Sequence, residues 1–297
     1  MDRNGSMVAP APLSRGCAIG LIGIDGVGKT TLAGELERRL TERGTQAVLL
    51  SRRQYLKTRP RDFVGDTMAA LYEGSLRTLY GFADLAEGGT LGDHFPPPAG
   101  PVTSAGFERI LDAAAITGND PHALVASMLC EIAGHLAFRE AVVAPAVRAG
   151  NVVIEDTHGI KMVVKLYLLA ASLAGSWEQL NDSLEAVLKA GITALGPDPA
   201  TAVPVLVQVD PEIAYQRRVA QHGRVGGMEH YGPVGRANGR DSYVELQSRS
   251  QKIFDEIGTQ WGCLRVDLPP HDREGGLRTA VDQILAAMDE LGEGQYQ

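Results

Sequence analysis

The run Gly23-Ile24-Asp25-Gly26-Val27-Gly28-Lys29-Thr30-Thr31 limits what this chain can fold into more than any other feature. It has the spacing Gly-x-x-x-x-Gly-Lys-Thr of a loop that wraps phosphate. Gly26 and Gly28 allow the backbone N–H groups to curl around phosphate oxygens, and a helix starting at Lys29 adds the partial positive charge of its N-terminus. Such a loop works only between a buried strand and an amphipathic helix. Both are legible here. The apolar run 17–23 precedes it, and Leu32, Leu36 and Leu40 follow on one stripe, with Glu35, Glu37, Arg38 and Arg39 around it. The reading is a nucleoside triphosphate site built from Asp25, Gly26, Val27, Gly28, Lys29, Thr30 and Thr31. ATP and Mg²⁺ are its expected cofactors. Lys29 is placed to reach the β- and γ-phosphates, and the Thr30 hydroxyl to ligate the metal.

The rest of the chain repeats the alternation. Short apolar runs at 46–50, 151–155, 203–209 and 264–268 predict strands. Helical patterns fall between and after them, one ending near Gly150, one starting at Asp210-Pro211 and one over 277–291. This order predicts an α/β fold, a mostly parallel sheet with helices on both faces. Two stretches interrupt it. Residues 81–106 carry Gly88-Gly89 and Pro96-Pro97-Pro98, and 176–204 reads as one short helix followed by Gly196-Pro197-Asp198-Pro199. The expected organisation is a flexible leader over 1–15 and a single decorated domain over 16–297.

Composition removes several classes. With 28 basic and 36 acidic side chains the net charge is −8, which repels nucleic acid and anionic lipid, so an anion site must be built locally. Cys17, Cys130 and Cys263 are odd in number and widely spaced, which supports neither a disulfide framework nor a zinc site. The apolar stretch 166–175 is about half of what spans a bilayer. No signal-peptide core is present in 1–15, so the expectation is a cytoplasmic protein without nucleic-acid or membrane partners.

The loop Gly23-Ile-Asp25-Gly-Val-Gly-Lys-Thr-Thr31 resembles that of thymidylate kinases, a family of P-loop nucleoside monophosphate kinases. Pro145-Ala-Val-Arg-Ala-Gly-Asn-Val-Val-Ile-Glu-Asp156 is similar to the family's helix–glycine–strand passage. Val205-Leu-Val-Gln-Val-Asp-Pro-Glu-Ile-Ala-Tyr-Gln-Arg-Arg218 is similar to its strand and helix leading into a lid. The resemblance covers about half of the chain. It implies a P-loop NTPase fold, γ-phosphoryl transfer from ATP, a sugar-facing role for Asp25 and a possible homodimer. The family's Asp-Arg-aromatic motif reads Asp156-Thr157-His158 here, and its acceptor-holding Asp-Arg pair falls on Gly134-His135. The transfer frame is retained and the acceptor pocket is rebuilt.

The chemistry-bearing candidates follow. Residues 51–61 hold five cations and no carboxylate, and Arg52 or Arg53 there could clamp an acceptor phosphate, unless the segment is a solvated basic loop. Tyr55 stacks on a base or packs. The glycine-laced segment 222–240 reads as a mobile lid, and Arg218 and Arg224 are the candidates to stabilise the transferred charge. Glu155 and Asp156 end a buried strand, where ligands meet such sheets; either could hold Mg²⁺ or, like Asp25, accept a proton, Asp156 being the candidate catalytic residue, unless the pair only caps the strand end. His135 and His158 are candidates for the acceptor side. The expected activity is ATP- and Mg²⁺-dependent transfer to a small phosphorylated acceptor, most simply a nucleoside monophosphate. A kinase for a free hydroxyl and a regulatory NTPase stay open as alternatives.

Overall fold

A computed structural model of the chain describes residues 16–58, 62–95, 114–174, 178–226, 228–231, 239–269 and 273–293. The expected leader 1–15 lies outside the described residues, as do Pro96-Pro97-Pro98, Arg59, Arg61 and Arg236. In chain order the elements are β1 (Cys17–Ile22), α1 (Lys29–Glu42), β2 (Ala47–Leu50), α2 (Arg52–Thr58), α3 (Phe63–Gly81), β3 (Asp84–Leu85), β4 (Ile116–Gly118) and α4 (Pro121–Phe138). A single π-helical turn (Arg139–Val143) joins α4 to α5 (Ala144–Arg148). Then come β5 (Val152–Glu155), α6 (Ile160–Ala174), α7 (Glu178–Ala194), β6 (Ala202–Gln208), α8 (Pro211–His222), α9 (Arg240–Gln260), β7 (Leu264–Asp267) and α10 (Arg273–Glu293).

Five strands form one parallel sheet in the order β2-β5-β1-β6-β7. Its middle strands are apolar on both faces, as a sheet covered twice requires: Ile19, Leu21, Val152, Val153, Ile154, Val205 and Val207 are all buried. The crossover from β1 to β2 runs one way along the sheet and that from β5 to β6 runs the other. Right-handed connections therefore put α1 and α6 on opposite faces. The packing agrees. Helix α1 lies with α10, where Arg39 reaches Asp282 at 2.9 Å, while α6 packs with α4, α7 and α9. Adjacent strands β1 and β5 thus send their chains to opposite sides, which opens a crevice beyond their C-terminal ends.

The elements form where the local chemistry allows them. Helix α1 buries Leu32, Leu36 and Leu40, the stripe read from the sequence. Asp210 accepts the Glu212 N–H at 2.7 Å with Pro211 in the first turn, and Asp120 does the same for His122 and Ala123 ahead of α4. Two expectations are corrected, and the solvated-loop alternative for the basic segment after β2 gives way to the helix α2 as far as Thr58. The stretch 176–204 holds a helix of 17 residues, α7, where a short one was expected. Part of 81–106 is ordered as well, because β3 and β4 pair antiparallel over a small apolar cluster of Ala83, Leu85, Leu91 and Ile116.

Among the described residues one helical run, Pro121–Arg148, is long and apolar enough to cross a membrane by length and composition alone. Here it packs on α3 and α6 and buries Glu131 in an ion pair, with 39% of its apolar window buried.

Candidate functional site

The loop after β1 enters the crevice between β1 and β5. Gly23, Gly26 and Gly28 have φ of 149°, 75° and 109°, values that a side chain resists, so the turn depends on glycine. Space excludes a side chain too: a Cβ on Gly26 would stand 2.5 Å from the Ala214 carbonyl oxygen. Gly28 caps α1 and has no side chain to bond the first-turn N–H groups, and no acidic residue occupies that turn. The first-turn amides thus have no side-chain cap.

The loop is fastened from three sides. Gln247 of α9 accepts the Asp25 N–H at 3.0 Å, and the Tyr243 hydroxyl donates to the Asp25 carbonyl at 2.9 Å. Arg217 of α8 donates to the carbonyls of Val27 (2.9 Å) and Leu268 (3.0 Å), which ties the loop to the end of β7. Inside the loop, Lys29 donates to the carbonyls of Gly23 (2.9 Å) and Ile24 (2.8 Å). Its ammonium is buried, and burial, with repulsion from Lys161, lowers its pKa to about 7.

Opposite the loop, β5 brings Asp156 to the first turn of α1. The Thr30 hydroxyl donates to Asp156 Oδ2 at 3.3 Å, while Oδ1 is buried with no hydrogen-bond partner. A hydroxyl and a carboxylate with an unsatisfied oxygen form a hard oxygen donor set that fits Mg²⁺. No cluster of three or more His, Cys, Asp and Glu side chains suited to a metal occurs among the described residues, so a cation here would keep much of its water. Glu155 lies apart from this pair: burial pushes it up to about 7, and the charge acting on it is that of Arg139.

Asp25 is buried, and its carboxylate is held by Lys161, with Lys165 at 3.5 Å. Burial opposes ionisation there, but the three lysines around it, Lys161, Lys165 and Lys29, keep its pKa well below the carboxylate range. Lys165 also approaches Glu229 at 4.0 Å. Glu229 in turn accepts two bonds from the Nε/Nη2 edge of Arg218, at 3.1 and 2.6 Å, and the Gly226 N–H at 3.3 Å. Arg218 is thereby held by Glu229, near enough for its charge to act on Lys29 and Asp25. Arg224 is exposed beyond the end of α8, and 232–238 lie outside the described residues.

The other candidates sit beneath this crevice. Arg52 is 8% exposed, ion-paired with Glu131 and stacked 5.0 Å from the Tyr72 ring centroid, and its Nη1 has no hydrogen-bond partner. Glu131 also faces His135 at 3.4 Å and accepts the Ser75 hydroxyl at 2.6 Å. Burial works to raise the Glu131 carboxyl, but His135, Arg52 and Ser75 outweigh it and hold it at about 2. Arg53 is exposed on α2, and Tyr55 packs edge-on against Phe138 with centroids 5.6 Å apart. His158 turns its ring inward, over Gly20 and edge-on to Trp261 at 5.4 Å; burial drops its pKa to about 3.

Lys161, Lys165, Glu229, Glu131, Gln247 and Tyr243 were not singled out from the sequence. Only the lysine pair left a trace there, as two cations four residues apart on an otherwise apolar helix. Compared with known proteins, the chain matches no family model and no curated protein.

Proposed function

We propose that the chain is a P-loop phosphotransferase that moves the γ-phosphoryl group of Mg·ATP to a small phosphorylated acceptor, a nucleoside monophosphate or a related metabolite. The observation that carries this reading is the meeting of Thr30 with Asp156 beside the glycine loop, Asp156 keeping one buried oxygen unpartnered. A phosphate-wrapping loop, a first-turn hydroxyl and a strand-end carboxylate are the parts that hold a triphosphate and its metal in such enzymes.

The amides of 26–31 would bind the phosphates. Lys29, released from the Gly23 and Ile24 carbonyls, would neutralise charge on the transferred group. Thr30 and Asp156 would hold Mg²⁺, which supplies charge neutralisation across the phosphates. Arg218 would stabilise the charge that spreads over the phosphoryl oxygens, and Arg224 would join it. The surplus of basic side chains near the loop supports a phosphorylated acceptor. The unpartnered Asp156 oxygen also suits a second reading, in which it takes the proton of a hydroxyl acceptor.

The test is ADP release from Mg·ATP against nucleoside monophosphates, the matching nucleosides and sugar phosphates. Acceptor-dependent release with one phosphorylated member is expected, falling about 100- to 1,000-fold in Lys29→Ala. Release with a nucleoside alone selects the second reading. Lys29→Ala turnover close to wild type would remove the phosphotransferase assignment.

A further inference from the structure

We propose that Lys161 and Lys165, one turn apart on α6 beside the phosphate-binding loop, form the subsite for a phosphomonoester dianion, with Asp25 as the internal counter-ion that the dianion displaces. The proposal rests on the phosphotransferase reading and names the acceptor group that the site takes.

Charge balance makes the first argument. Lys29, Lys161, Lys165 and Arg218 meet around only two carboxylates, Asp25 and Glu229. The lysine–carboxylate part lies in a largely dry setting, with the side chains of Lys161 and Lys165 17% and 14% exposed and those of Asp25 and Glu229 12% and 6%, while Arg218 at its edge is 27% exposed. With Asp156 across the loop, four cations face three carboxylates, so the cluster keeps a positive surplus while Lys29 is protonated, in a chain whose net charge is −8. Burying unbalanced like charge is costly, and a bound anion removes that cost.

Geometry makes the second. The spacing of four puts both ammonium groups on one face of α6, and each meets a different oxygen of Asp25. One carboxylate bridging two ammonium groups holds the place that the oxygens of one phosphomonoester would fill, with twice the charge. The arginine best placed by sequence for this work, Arg52, already shares its charge with Glu131.

The experiment is equilibrium dialysis of inorganic phosphate against the full chain, with the loop first filled by a non-hydrolysable Mg·ATP analogue. Wild type is expected to bind phosphate and to prefer it to acetate. Lys161→Gln with Lys165→Gln should weaken phosphate at least about tenfold, the scale of a lost charge-assisted bond, while the analogue stays bound. Asp25→Asn keeps both lysines and removes their competitor, so it should tighten phosphate several-fold; a purely structural ion pair predicts no gain. Unchanged phosphate binding in the double variant would overturn the subsite. So would acetate binding as tightly as phosphate, weaker phosphate binding in Asp25→Asn, or loss of the analogue in the double variant. In each of those cases the phosphotransferase reading survives. Failure of wild type to bind the analogue at all would instead take down that reading, and the subsite with it.

Discussion

Lys29 shows how a single side chain can be chemically loaded before any ligand arrives. An ordinary lysine titrates near 10.5, but burial in the loop and repulsion from Lys161 bring Lys29 to about 7, against the pull of Asp25 and Asp156. Near neutral pH the free protein is therefore divided between ammonium and amine. A triphosphate in the loop favours the ammonium, so its pKa rises on binding and the complex takes up a proton that the free protein lacks above pH 7. The sign follows: nucleotide affinity falls as pH rises past 7, approaching tenfold per unit. Calorimetric titration of Mg·ATP analogue in two buffers of different ionisation enthalpy should show proton uptake at pH 8, and Lys29→Met should abolish it. Absence of uptake between pH 7 and 8.5 in wild type would mean that Lys29 is not the counter-ion of the triphosphate. Asp25 is the contrasting case. The sequence marks it as a loop carboxylate, but its partners lie 136 and 140 residues away on α6, and no local pattern could reveal them.

At the level of elements, the helices α2, α3 and α4 meet through charge as well as apolar contact. Arg52, Glu131, His135, Ser75 and Ser127 form one buried polar group between them. Such a pair is costly to break and cheap to replace as a whole, since losing one partner leaves a buried charge uncompensated. Glu131→Ala should cost about 3–5 kcal/mol in urea unfolding. Arg52→Met with Glu131→Leu should come within about 1–2 kcal/mol of wild type, and a double variant as unstable as the single one would contradict this account. The five main strands were legible within about a residue because each is a short apolar run next to a turn signal. Helices α3 and α4 were less so. The α4 start is written in Asn119-Asp120-Pro121, the same kind of cap as Asp210-Pro211, but it follows a stretch dense in glycine and proline that reads as loop. Helix α2 was obscured because five cations in eleven residues look like solvated surface, whereas Arg52 turns inward to a glutamate 79 residues on.

For the molecule as a whole, the loop draws its supports from almost the full length of the chain: β1 below it, Asp156 across it, Lys161 and Lys165 beside it, and Arg217, Tyr243 and Gln247 around it. The sheet that carries these residues is continuous, and one apolar core runs through both of its faces. A ligand held by such a loop stabilises the assembly of all those segments rather than a local flap. Mg·ATP at a hundred times its dissociation constant should therefore raise the unfolding free energy by about 2.7 kcal/mol, if it binds only the folded chain. At about 2.1 cal/mol/K of unfolding entropy per residue, that is roughly 4–5 °C in Tm for a domain of this size. Scanning calorimetry should show one transition moving upward as a unit with nucleotide concentration, and Lys29→Ala should show almost no movement. A split transition, with only part of the heat shifted by nucleotide, would mean that α8 and α9 unfold independently of the loop they fasten. Arg217→Ala would then be the decisive companion: it cuts the link from the loop to α8 and β7, so a whole-molecule coupling predicts a smaller nucleotide shift in that variant, and independent unfolding predicts none of that loss.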